Sequence, residues 1–256
     1  MPVDNKTIVK KFTSFFKLKD DPIAFFYTDN PPQEIYKPKA KALEYLPCII
    51  QLLNGVRRGK TLVLGRQSRN LCPGGLAYLG FQKIFTGLEY FLSTGIRDKD
   101  GNLVREGERF KKTPEIAGKF YDRIPFRKHP AKFAVFMPLK EVNMEIYKPS
   151  LVIFFVNMDQ LSGLIQLTHY DLTENSTIIG FGSGCSSIIT EPLAELEKDK
   201  TPRAVIGMLT DILSRGHIKR DEATFTIGYN RLLELYNNIE GSFLQLEAWK
   251  KIQNRN

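Results

Sequence analysis

Apolar positions along this chain fall into two rhythms, one helical and one alternating. Ile8, Val9, Phe12, Phe15, Phe16 and Leu18 recur at helical spacing, which predicts an amphipathic helix over 8–18 with an aromatic core face. Residues 22–27 predict a strand, closed by the turn signal Asp29-Asn-Pro-Pro32. A second helix is predicted over 42–56, with Pro47 near its first turn and Gly55 or Gly59 near its end. A strand over 60–64 follows, then a polar loop over 65–70, then Leu71-Cys-Pro-Gly-Gly75 and a small-residue helix from Leu76.

The middle of the chain, 91–125, is rich in charge and glycine. Asp98-Lys-Asp-Gly101 predicts the turn of a hairpin, and Thr113-Pro114 the capped start of a helix reaching Tyr121. Strands are predicted over 133–137 and 151–156, the second buried on both faces. A helix over 159–170, a strand over 177–180 and a helical tail over 232–252 complete the pattern. Asp221 and Glu222, after Lys219-Arg220, read as a solvated loop.

These elements predict a mixed α/β (α+β) fold. We expect a single domain over 1–256, with two related halves of about 8–130 and 131–240 around a shared cleft. The halves are suggested by an internal echo. Thr61-Leu-Val-Leu-Gly65 leads to Cys72 and Thr177-Ile-Ile-Gly180 to Cys185, 11 and 8 residues from threonine to cysteine. Coincidence between two short apolar strands explains the echo equally well.

Composition narrows the function classes. An apolar content of 42% suits a packed core, and no run nears the roughly 20 apolar residues that cross a bilayer. The first residues carry lysines and no apolar signal core, and the three cysteines form no even framework. We therefore expect a cytoplasmic protein with reduced thiols and no membrane partner; homo-oligomerisation is left open. Net charge is +9, and it is uneven. Residues 1–150 hold 27 Lys+Arg against 15 Asp+Glu, whereas 151–256 hold 10 against 13. A basic first half suggests an anionic partner.

The candidate chemistry lies around Cys72. Arg57, Arg58, Lys60, Arg66 and Arg69 precede Cys72-Pro73-Gly74-Gly75. Gly74 and Gly75 opening a helix would offer N–H groups to an anion, the arginines would supply forked donors, and their field would favour a Cys72 thiolate. A tight structural turn beside a solvated basic loop is the competing reading. No Gly-Lys-Ser/Thr is present, so this is not a Walker A loop. Gly180, Gly182 and Gly184 lead into Cys185 at a spacing that does not match the dinucleotide fingerprint. Cys48, Cys72 and Cys185 lack the paired spacing of structural zinc, yet converging thiolates would suit an iron–sulfur cluster or another thiophilic metal. His129, His169 and His217 form no ligand pair.

The run Cys48…Arg57-Arg58-Gly59-Lys60…Cys72-Pro73-Gly74-Gly75-Leu76-Ala77…Leu79-Gly80 resembles the domain-of-unknown-function 169 family, also labelled ArCR. Gly180 to Cys185, Glu191-Pro192 and Asp211…Arg215…Asp221-Glu222 are similar to it as well, and the resemblance spans roughly 8–240. The charged stretch 91–112 looks longer than is typical of that family. The resemblance brings no established activity. It implies that the three cysteines act together, and the family's frequency in archaea and anaerobes suits an oxygen-sensitive centre.

Three functions follow as expectations. The first is a protein binding a metal, an iron–sulfur cluster or an anionic cofactor such as a tetrapyrrole. Its ligands would be Cys48, Cys72 and Cys185, with Arg57, Arg58, Arg66, Arg69, Gly74, Gly75, Gly182 and Gly184 holding anionic groups. The second is a redox or transfer enzyme with Cys72 as thiolate. A nucleic-acid-binding regulator ranks last, since no helix-turn-helix or aromatic RNA-binding signature is present.

Overall fold

A computed structural model describes residues 3–33, 46–68 and 71–255. In chain order α1 (Asn5–Phe16) leads to β1 (Ile23–Thr28), α2 (Ile49–Arg57), β2 (Leu62–Gly65) and α3 (Pro73–Tyr78). An arm follows, made of α4 (Leu88–Phe91), the hairpin β3 (Ile96–Arg97) and β4 (Leu103–Arg105), and α5 (Pro114–Tyr121). Then come β5 (Phe133–Pro138), β6 (Leu151–Val156), α6 (Met158–Thr168) and β7 (Thr177–Ile179). The last part holds α7 (Glu191–Leu196), β8 (Ala204–Gly207), α8 (Ile212–Arg215), β9 (Ala223–Gly228), α9 (Tyr229–Asn238) and α10 (Glu247–Gln253). The fold is mixed α+β.

Seven strands form one sheet in the order β2-β5-β1-β6-β9-β8-β7. Neighbours pair antiparallel except β7 and β8, which run parallel. Side chains alternate across this sheet, so each strand feeds two cores. Ala24, Phe26, Val152, Phe154, Phe225 and Ile227 join α1, α6 and α9 on one face. Ile23, Phe25, Phe136, Leu151 and Ile153 join α2, α3 and Cys185 on the other. The aromatic face of α1 is core, as its spacing predicts: Phe12 and Phe16 are fully buried and stack at 5.8 Å. Burying each such ring stabilises the fold by roughly 1.5–3 kcal/mol.

Three differences from the sequence pattern matter for function. The helix predicted over 42–56 begins only at Ile49; residues 42–45 lie outside the described residues, and 46–48 are not helical. Cys48 is therefore the residue immediately before the helix, where its thiol faces free N–H groups. Strands β8 and β9 extend the sheet beyond the predicted ones, and β9 shows a clear two-residue alternation in Ala-Thr-Phe-Thr-Ile. Its neighbour Glu222 is buried rather than solvated, because Arg57 claims it. The helical tail is broken by two short turns into α9 and α10.

The echo between the two cysteine segments is not reproduced as a repeat of topology. Helices α2 and α6 pack on opposite faces of the sheet, and β2 pairs antiparallel whereas β7 pairs parallel. A twofold relating the antiparallel neighbours β1 and β6 stands perpendicular to the sheet and keeps each helix on its own face. It cannot exchange α2 with α6.

Candidate functional site

Parallel pairing brings the ends of β7 and β8 out at the same edge. The loop after β7 carries Gly180 to Cys185, and the loop after β8 carries Met208 to Asp211. They lock together through Asp211, whose carboxylate accepts from the Gly184 N–H at 2.7 Å, the Ser214 N–H at 2.8 Å and the Ser214 hydroxyl at 2.8 Å. The contact is too close for a side chain at residue 184: a Cβ there would sit 2.7 Å from the Met208 sulfur. Met208 itself has φ 63, a left-handed backbone rare for a non-glycine residue. After Cys185 the chain makes a π-helical turn over Ser186–Thr190, a feature that recurs at functional sites.

Helices α2 and α3 bring the other two cysteines to this edge. Each helix starts immediately after its cysteine, and the Cys72 N–H donates to the Pro47 carbonyl at 3.2 Å, tying the two starts together. Cys48 and Cys72 are half-buried and Cys185 is buried. The Cys48 sulfur lies 3.5 Å from the Ser214 hydroxyl.

Cys48 has the activated thiol. A hydrogen bond from the Cys185 thiol lowers its pKa against the opposing effect of burial, and Ser214 and the Ile50 and Gln51 N–H groups add to the lowering, to about 7. Cys185 is shifted strongly the other way, first because it gives that hydrogen bond and then because it is buried. The Cys72 thiol is pushed up by burial, with the Gly75 and Gly74 N–H groups opposing. Among the described residues no cation enters the setting of Cys72, and burial opposes the thiolate expected there; the thiolate-favouring position is the one before α2.

The three thiols are neighbours without forming a ligand set. Cys48 and Cys185 are in contact, and Cys72 lies within electrostatic reach of both. Among the described residues, no three His, Cys, Asp or Glu side chains gather closely enough to hold a metal ion.

Arg57 is held away from the thiols, whereas Arg66 lines a pocket with Leu71 and Pro73, next to Cys72. Arg57 lies at the far end of α2, about 13 Å from Cys48 at 1.5 Å per residue. Its guanidinium is clamped by Glu222, at 2.6 and 3.1 Å, and by Asp20, and it covers the Phe155 ring at 4.5 Å. Arg58 and Arg66 are exposed, and Arg69 lies outside the described residues. The glycines are also occupied. Gly75 packs against Ile49, the Gly184 N–H is taken by Asp211, and Gly182 lies close against Ser186 and the half-buried Glu191. Gly74 borders the Cys72 sulfur. The Gly184 N–H is answered by a carboxylate of the protein, and the Gly74 and Gly75 N–H groups act on the Cys72 sulfur.

Beside the cysteine edge opens a cavity of about 80 Å³. Its apolar walls come from Phe110 and Phe120 of the arm and from Ile212 and Leu213 of α8. Its polar groups are Tyr78, Tyr121, Glu108 and Asp211. The two tyrosine hydroxyls meet at 3.2 Å, and burial raises the Tyr121 pKa to about 12. Burial, and secondarily the charge of Asp211, raises Glu108 to about 7. The arm was legible as charged sequence at 91–112, but neither Glu108 nor the tyrosines carried a motif. Only their convergence marks them.

Among the described residues no helix is long and apolar enough to cross a membrane. A family model, that of the uncharacterised ArCR proteins (DUF169), matches residues 11–238. Comparison with curated proteins and with solved structures gives no match.

Proposed function

The chain belongs to the uncharacterised ArCR family (DUF169), and we propose that it is a thiol-dependent redox or transfer enzyme in which Cys48 is the reactive thiolate. The observation that carries this reading is the setting of Cys48: a thiol 3.5 Å from the Ser214 hydroxyl, at the start of a helix and beside Cys185, which together hold its pKa near 7. A thiolate is the nucleophilic form of cysteine, and a helix start favours it. Ser214 links this thiol to the cavity, because its hydroxyl also reaches Asp211. Its single proton can serve Asp211 or the thiolate, so the hydroxyl rotates as Cys48 gains or loses charge. Three free cysteines suit a cytoplasmic location.

Alkylation of the full chain near pH 7, followed by peptide mass spectrometry, tests this. Cys48 should label first, with a rate that rises through about pH 7. Equal, slow labelling of all three cysteines would sink the proposal.

A second reading keeps a thiophilic metal or iron–sulfur cluster on Cys48, Cys72 and Cys185. It is supported by the mutual electrostatic influence of the three thiols. It requires Cys72 to turn toward the other two. Protein purified anaerobically should then carry iron and sulfide, and Cys72→Ser should lose them. A metal-free preparation that still labels selectively at Cys48 leaves the enzyme reading alone.

A further inference from the structure

The cavity beside the cysteine edge has a charge that the basic first half of the chain does not anticipate. Two carboxylates, Glu108 and Asp211, line it, and no lysine or arginine does. Asp211 has three donors of its own. Glu108 has none: among the described residues its carboxylate makes no salt bridge and no side-chain hydrogen bond. A half-buried carboxylate beside a second carboxylate, acted on by Arg105 only at a distance and ion-paired with no described residue, is an electrostatic deficit that either a proton or a cation relieves.

The rim supplies a second, independent pointer. The Lys111 ammonium sits 4.5, 4.2 and 4.3 Å from the ring centres of Phe110, Phe120 and Phe181. Two of those rings, Phe110 and Phe120, also wall the cavity. Ring faces carry negative potential and attract ammonium groups. The protein thus already holds one ammonium on this aromatic cluster, at the mouth of a cavity whose charged groups are both acidic.

We propose that the cavity binds a small organic ammonium, with Glu108 as its counter-ion and Phe110, Phe120 and Tyr121 as its walls. About 80 Å³ admits a molecule of only a few heavy atoms. The hydroxyls of Tyr78 and Tyr121 stand ready to accept or donate to a second polar group on it. As the identity of the substrate, this rests on the reading of Cys48 as the reactive thiol; as a binding site it does not.

Calorimetric titration of the full chain at pH 8 with n-butylamine, butyrate and butyramide tests it. Butylammonium should bind, and the other two should bind at least tenfold more weakly or not at all. Glu108→Gln keeps the shape and should weaken butylammonium at least tenfold. Phe120→Leu removes a wall without changing charge and should weaken it severalfold, which guards against misfolding of either single variant. Equal binding of butyrate, or full binding by Glu108→Gln, would overturn the proposal. So would binding confined to Lys111→Met, since the native cluster would then belong to the protein's own ammonium. Alkylation of Cys48 is measured on the same samples. Selective labelling without amine binding defeats only this proposal, and amine binding with an inert Cys48 defeats only the enzyme reading.

Discussion

The two ends of α2 hold opposite kinds of site. At its C-terminal end Arg57 meets Glu222 and Asp20 and a ring face, with side chains of Arg57 and Glu222 only 6% and 7% exposed. At its N-terminal end Cys48 meets Cys185 and Ser214 and keeps a half-buried face beside a cavity. The helix dipole favours a cation at the first end and an anion at the second. The difference is saturation. Every strong group at the arginine end has a partner within the fold, so the end is structural. At the cysteine end Glu108 has no ion-pair partner among the described residues, and the Cys48 thiol reaches the same cavity's Asp211 through Ser214, so chemistry has somewhere to act.

The largest effect should come from breaking the saturated end. Arg57→Met leaves buried Glu222 and half-buried Asp20 with only the half-exposed Lys219 as cation and should cost about 3 kcal/mol. Denaturant melts would show it, while Cys48 should still label selectively in whatever fraction remains folded. Removing the arginine and Glu222 charges together should recover part of the loss.

At the other end, Cys48→Ser should abolish selective labelling and change the denaturant midpoint little. A large loss of stability would mean that this end is structural as well, and the contrast would fail. A smaller change is expected from Ser214→Ala. Without the hydroxyl the Cys48 thiolate loses one charge-assisted bond, so its alkylation at pH 7 should slow by up to about tenfold. The rate profile should shift to higher pH. Unchanged kinetics would place the activation on Cys185 alone.

The remaining effect is on stability against pH. Glu108 has a folded pKa of about 7, above its ordinary 4.5. The folded state therefore holds this proton more tightly than the unfolded one, and its contribution falls as pH rises from about 4.5 through 7. Glu195 works in the opposite direction. Burial opposes its ionisation, but Arg203 and Lys198 outweigh that and hold it at about 2, so its contribution is lost as pH falls from 4.5 toward 2. Melts of Glu108→Gln should lose the first slope and keep the second. Loss of both, or of neither, would deny that Glu108 is the unpaired carboxylate.

Much of the fold was legible because one-dimensional periodicity follows from one-dimensional geometry. Phe12 and Phe16 share a helix face wherever that helix packs, and Ile23 and Phe25 share a strand face in any sheet. Strand β9 carries the same alternation but was not predicted, because Thr224 and Thr226 interrupt its apolar run and the charged residues before it read as a solvated loop. Glu222 was not legible: a charged residue after Lys219-Arg220 looks solvated until Arg57, 165 residues away, is found against it.

The candidate site divides in the same way. Sequence alone determined that Cys72 stands beside a Pro-Gly-Gly helix start and that Cys185 follows a glycine loop, because proline and glycine fix backbone behaviour locally; the place of Cys48 before α2, rather than within a helix over 42–56, came from the structure. It also determined the basic charge of the first half. Only the tertiary structure decided which charges face which groups. The parallel pairing of β7 with β8 brings Asp211 to the glycine loop, the length of α2 carries Arg57 away from the thiols, and the arm folds Glu108 into the cavity. Electrostatic character depends on distance through space, and distance through space is what a sequence does not print.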